Sequence, residues 1–175
     1  MALGDFFKRK SPTNLSAYER SLIDHVAKDG WYCLSVVGEE VGDTFTYSVG
    51  FGNTLGSPEC IIFGLPAKTS HSMLWEVFRQ IRAGAVLSDG AKWSNLICGF
   101  DCVSKPVHPS QITKDHFNSA LWFWRHTKVS ETDLKAYQIF WPGSEDGLFP
   151  WDTGVAQIVR DYQPALYLPK RVLLT

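Results

Sequence analysis

The tightest constraint on the fold lies between residues 31 and 65. "WYCLSVVG" and "TFTYSVGF" are each long enough for a strand, and only the polar stretch "EEVGD" separates them. So short a connection makes them an antiparallel hairpin, because parallel neighbours need a crossover of a dozen or more residues. Alternation puts Phe45, Tyr47, Val49 and Phe51 on one face of the second strand and Thr44, Thr46 and Ser48 on the other. The following run "ECIIFGL" is apolar without alternation, the pattern of a central strand covered on both faces. A hairpin feeding such a strand predicts a mostly antiparallel or mixed sheet and places the chain in the α+β class.

About three helices surround this sheet. Ser16 and Glu19 form an S-x-x-E capping box ahead of the stripe Leu22, Ile23, Val26 and Ala27, and Gly30 supplies the stop. Pro66 opens a second helix, with His71, Leu74, Phe78 and Ile81 near one face and Gly84 at its end. A third spans residues 110 to 128 with Phe117, Ala120, Leu121 and Trp124 on its stripe. "LICGFDCVSKPV" reads as one strand and "KAYQIFW" as the last, while residues 85 to 95 fit either a short strand or a turn. Residues 1 to 13 read as a flexible arm and residues 14 to 175 as a single globular domain.

Charge narrows the function classes. The formal net charge is -1 over 175 residues, so the basic excess of a nucleic-acid-binding protein is absent. No apolar stretch reaches membrane-spanning length. "FFKRK" lacks the apolar core of a secretory signal, so the four cysteines (Cys33, Cys60, Cys98 and Cys102) are expected as free thiols in the cytoplasm. Cys98 and Cys102 lie too far apart on one strand to share a zinc ion, and no metal site is expected.

Three places could carry chemistry. "VGFGNTLGSPE" departs from the dinucleotide fingerprint, since Gly50 and Gly52 are followed by Gly56 and then by Pro58 and a strand. It reads as a strand connection, with a nest of N–H groups able to hold an anion as the alternative. His71 is expected to face inward in the first turns of its helix, where the positive helix end favours a neutral imidazole; it is the candidate catalytic base. In "QIFWPGSEDGLFPWD" the acids suit a solvated turn, while Trp141 and Trp151 could close into a wall for a flat or cationic ligand. "ALWFWRH" is aromatic around a whole helical turn, which suggests a contact with the tail or with a second copy in a homodimer.

With those pieces in place, the chain resembles domain-of-unknown-function family 4262, through "GWYCLSV", "FTYSVGF", "SPECIIFGLP", "QIFWPGSEDGLFPWD" and "QPAL". The resemblance runs from about residue 20 to residue 168. It implies a bacterial protein and brings no activity with it. Gly143 stands where the resemblance leads one to expect an aspartate after Trp141-Pro142. A looser likeness to flavin-binding split barrels would set "FTYSVGF" and the loop after "IIFGLP" beside a flavin phosphate, with FMN as the cofactor; no diagnostic flavin motif accompanies it.

The leading expectation is a small-molecule or anion-binding module with a pocket between the sheet and the C-terminal aromatic hairpin. Its expected lining is Tyr47, Ser48, Gly50, Phe51, Trp141 and Trp151, with His71. The alternatives are an enzyme, flavin-dependent or hydrolytic with His71 as base, and a protein-interaction module, immunity or regulatory, that docks through "LWFWR".

Overall fold

The computed structural model describes residues 14–127 and 132–172; the expected N-terminal arm lies outside them. Helix α1 (Ala17–Asp29) carries the full capping box, with the Ser16 hydroxyl accepting from the Glu19 N–H and the Glu19 carboxylate accepting from the Ser16 N–H. Gly30 ends it at φ 89°, a left-handed conformation that glycine takes without a Cβ clash. Strands β1 (Tyr32–Val36) and β2 (Phe45–Val49) form the expected hairpin, paired from Tyr32 with Val49 to Val36 with Phe45. A five-residue helix, α2 (Phe51–Leu55), then leads into β3 (Glu59–Phe63). Helix α3 (Ala67–Arg82), β4 (Lys92–Ile97), β5 (Phe100–Pro106), α4 (Lys114–Thr127), β6 (Ala136–Phe140) and the short α5 (Gln157–Asp161) complete the described chain.

The six strands make one open mixed sheet in the order β1-β2-β3-β6-β5-β4. Only β3 and β6 run parallel; the other neighbours are antiparallel. The α+β class therefore holds, and the sheet keeps two edges where a closed barrel would have none. "LICGFDCVSKPV" is two strands rather than one: the turn at Cys98-Gly99, with Gly99 at φ 83°, folds β4 back on β5.

Both faces of the sheet are covered. Leu22 and Val26 of α1 and Phe117, Ala120 and Phe123 of α4 pack with Phe45, Tyr47, Ile61 and Phe63 on one face. Met73, Leu74, Val77 and Phe78 of α3 pack with Cys60, Ile62 and Ile139 on the other. That sandwich explains why β2 and β3 are buried at every position. In α4 the non-helical backbone of Phe117 (φ -132°) resets the stripe, so Phe123 is buried while the expected core residues Leu121 and Trp124 are only half-buried.

Two buried glutamines bind the C-terminal segment to the sheet. Gln163 accepts from the Trp141 N–H at 3.0 Å and donates to the Trp141 carbonyl at 2.9 Å. Gln138, on β6, donates to the Pro164 carbonyl at 2.8 Å and accepts from the Leu166 N–H at 3.1 Å. Each amide acts as a strand segment would, satisfying backbone groups that burial would otherwise leave unpaired.

Candidate functional site

The nest of N–H groups exists, and the chain fills it from within. Gly50, at φ 104°, turns the backbone out of β2 and into α2. The Glu59 carboxylate, 2% exposed, sits against that turn. It accepts from the Gly50 N–H at 2.8 Å and from the Ser48 hydroxyl at 2.5 Å, with further backbone bonds from Phe51 and Gly52. Ser48 also accepts from the Cys60 N–H. Burial pushes the Glu59 carboxyl up to about 7, while these donors favour the ionised form and limit the rise. Ser48 and Gly50, expected to meet a ligand, thus hold a carboxylate eleven and nine residues downstream.

The aromatic wall is likewise occupied from within. Trp151 stacks on Phe149 at 5.1 Å and meets Phe140 and Tyr167 edge-on. The Lys105 ammonium lies 4.6 Å from the Trp151 ring and 5.0 Å from the Tyr167 ring, so the cation that this cage suits is the chain's own. Trp141 takes no part. It joins the α3 side of the sheet and its indole N–H donates to the Phe63 carbonyl at 2.8 Å. Phe140 and Trp141 are consecutive in an extended chain, so their side chains point to opposite faces.

Tyr47 faces α4, where its hydroxyl accepts from the Ser119 N–H. Phe51 is fully buried on the α3 side, against Trp31 and Phe78. The expected binding residues are therefore split between the two faces, and His71 meets none of them directly in a ring or hydrogen-bond contact. The "LWFWR" segment offers no broad apolar surface: Phe123 is buried, Trp122 is stacked on His126 at 5.0 Å, and Trp124 donates to the Thr132 carbonyl.

His71 leads to a different place. It is exposed rather than inward-facing, one turn into α3, with its ring 5.8 Å from that of Trp31. Between them opens a groove of about 520 Å³. Its walls are the end of α1 (His25 and Asp29), Trp31 with β1 (Tyr32, Cys33 and Ser35), and the first half of α3 (Ala67, Lys68, His71 and Trp75). Trp31, 2% exposed, is held edge-on by Trp75 at 5.1 Å and by Phe51 at 5.4 Å. Its buried indole N–H has no hydrogen-bond partner among the described residues, nor has the buried Ser70 hydroxyl in the first turn of α3. Helix α3 starts at Ala67, after Pro66 at the cap position, with no side-chain cap and no acidic residue in its first turn, leaving Lys68 beside a positive helix end.

The groove's titratable groups define what it can do. Burial raises the Cys33 thiol to about 12, so it stays protonated at neutral pH and is a poor nucleophile. No group of three or more His, Cys, Asp or Glu side chains among the described residues could hold a metal ion. What remains is an aromatic surface beside imidazoles, an ammonium and a helix start. Trp31, Lys68 and Trp75 escaped the sequence reading. Trp31 follows the helix stop at Gly30 directly, and Trp75 lies at i+4 from His71, on the same helical face; that spacing was the available signal.

No helix among the described residues is long and apolar enough to cross a membrane. No curated protein and no solved structure matches the chain. A family model does match, over residues 25–156, which takes in the groove, both hairpins and the Trp141–Trp151 segment. The chain belongs to that family, the domain of unknown function DUF4262.

Proposed function

We propose that the protein is a small-molecule-binding module whose site is the groove over Trp31, between α1, β1 and α3. The observation that carries this reading is the groove itself, which brings Trp31 and Trp75 together with Lys68 and His71. The surrounding groups favour a flat ligand bearing an anionic group: the rings of Trp31 and Trp75 offer apolar contact, and Lys68, His71 and the α3 start offer donors. The four cysteines are free, in keeping with a protein working in a reducing cytoplasm.

Benzoate is the simplest probe of this reading. Titrated into the 15N-labelled protein, it is expected to shift the amides of Trp31, Cys33, Lys68 and His71 and the Trp31 indole N–H, with millimolar affinity for so small a ligand. Lys68→Glu should weaken it about tenfold, the loss of one charge-assisted contact. Shifts scattered over the surface, or affinity unchanged in Lys68→Glu, would overturn the assignment.

A further inference from the structure

The groove over Trp31 has two unlike ends. Two of its walls, β1 and α3, run antiparallel: β3 runs in the same direction as β1, and α3 turns back after it. Contacts at the start of β1 fix their alignment. Trp31, just ahead of the strand, meets Trp75 at 5.1 Å, and the Phe78 ring packs over Gly30. From Trp75 back to Lys68 the helix covers about 10 Å. From Trp31 to Ser35 the strand covers about 13 Å in the same sense. Both lead away from the end of α1. Lys68 therefore stands toward one end of the groove, and Asp29, the last residue of α1, stands at the other.

The charges follow that axis. Among the described lining residues Asp29 is the one carboxylate and Lys68 the one ammonium; Lys28, beside Asp29, is not part of the lining. Neither Asp29 nor Lys68 has an ion-pair partner among the described residues. His25 adds an acceptor on the Asp29 side. Its Nδ1 lies 2.7 Å from the Ser21 carbonyl, which can only accept, so Nδ1 carries the proton and Nε2 of the neutral ring accepts. Between the two ends stands the aromatic wall of Trp31 and Trp75.

We infer that the groove, on the reading that it is the binding site, takes an elongated aromatic zwitterion, with its carboxylate at Lys68, its ammonium at Asp29 and its ring along the Trp31–Trp75 wall. A ligand with one charge matches one end and leaves the other unanswered. An α-amino acid is a poorer match, because both its charges sit on a single carbon.

Benzoate, 4-(aminomethyl)benzoate and phenylalanine, each titrated into the 15N-labelled wild-type and Asp29→Asn proteins, test this. Asp29 is exposed, and the spectrum of the free variant reports whether the fold is kept. The aminomethyl compound is expected to shift the same amides as benzoate and that of Asp29 as well. It should bind about three- to fivefold tighter than benzoate, as one exposed ion pair allows. That ratio should fall to about one in Asp29→Asn, and phenylalanine should bind more weakly than the aminomethyl compound. A wild-type ratio of one or less, a ratio that Asp29→Asn leaves intact, or phenylalanine binding as tightly would each overturn the inference, while benzoate shifts at the groove would still uphold the binding site itself. Absence of benzoate shifts at the groove would overturn both.

Discussion

Glu59 is the residue on which the β2–α2–β3 connection turns. Its carboxyl is raised to about 7 in the fold, above the ordinary value of 4.5, chiefly by burial. The native state therefore binds the proton more tightly than the unfolded chain. The stability this group contributes is full below about pH 4.5 and is lost as pH rises through about 7. The slope approaches 1.4 kcal/mol per pH unit inside that window. Urea denaturation of wild type and Glu59→Gln should diverge progressively between those pH values, with wild type losing ground. Parallel stability curves for the two proteins would show that Glu59 keeps an ordinary carboxyl in the fold. The sequence shows an acid at the head of an apolar strand and nothing of its partners. Nothing local tells that a glutamate will meet a serine and a glycine N–H across a turn.

At the scale of elements, the C-terminal segment is held by amides rather than by strand pairing. Gln163 takes both backbone groups of Trp141, and Gln138 takes those of Pro164 and Leu166. Gln163→Leu keeps the volume and removes both bonds to Trp141 and a longer one to the Val159 carbonyl, leaving the Trp141 N–H and carbonyl without their partner in a part-buried setting. The expected cost is about 2–4 kcal/mol, with faster hydrogen exchange at the Trp141 and Leu166 amides. A loss below about 0.5 kcal/mol would mean that water replaces the amide at no cost. The element pattern itself was largely legible. The capping box, the hairpin and the doubly covered strand follow from local chemistry and from a period of two. The turn at Gly99 and the reset of α4 at Phe117 were not, because a one-residue break inside an apolar run leaves hydropathy almost unchanged.

For the whole molecule, the strand order predicts where the fold is firmest. β2, β3 and β6 are central and buried, whereas β1 and β4 are edges. Native-state hydrogen exchange should find the slowest amides in β2, β3 and β6 and faster exchange on the outward amides of β1. Uniform protection across all six strands would show that the edge is covered.

By itself the sequence determined the α+β class, the helix caps, the first hairpin and the membership of the family, since each depends on neighbours in the chain or on the order of short motifs. It also identified residue types suited to an anion and to a cation: the turn at Gly50 and the aromatics around Trp151. Only the tertiary structure decided that Glu59 and Lys105 fill those places, and that His71 stands instead with Trp31 and Lys68 at an edge groove. The reason is physical. A donor nest or an aromatic face is recognisable from local sequence, but its occupant is the charge that folding brings within about 3–5 Å, and that distance is set by strand order and register.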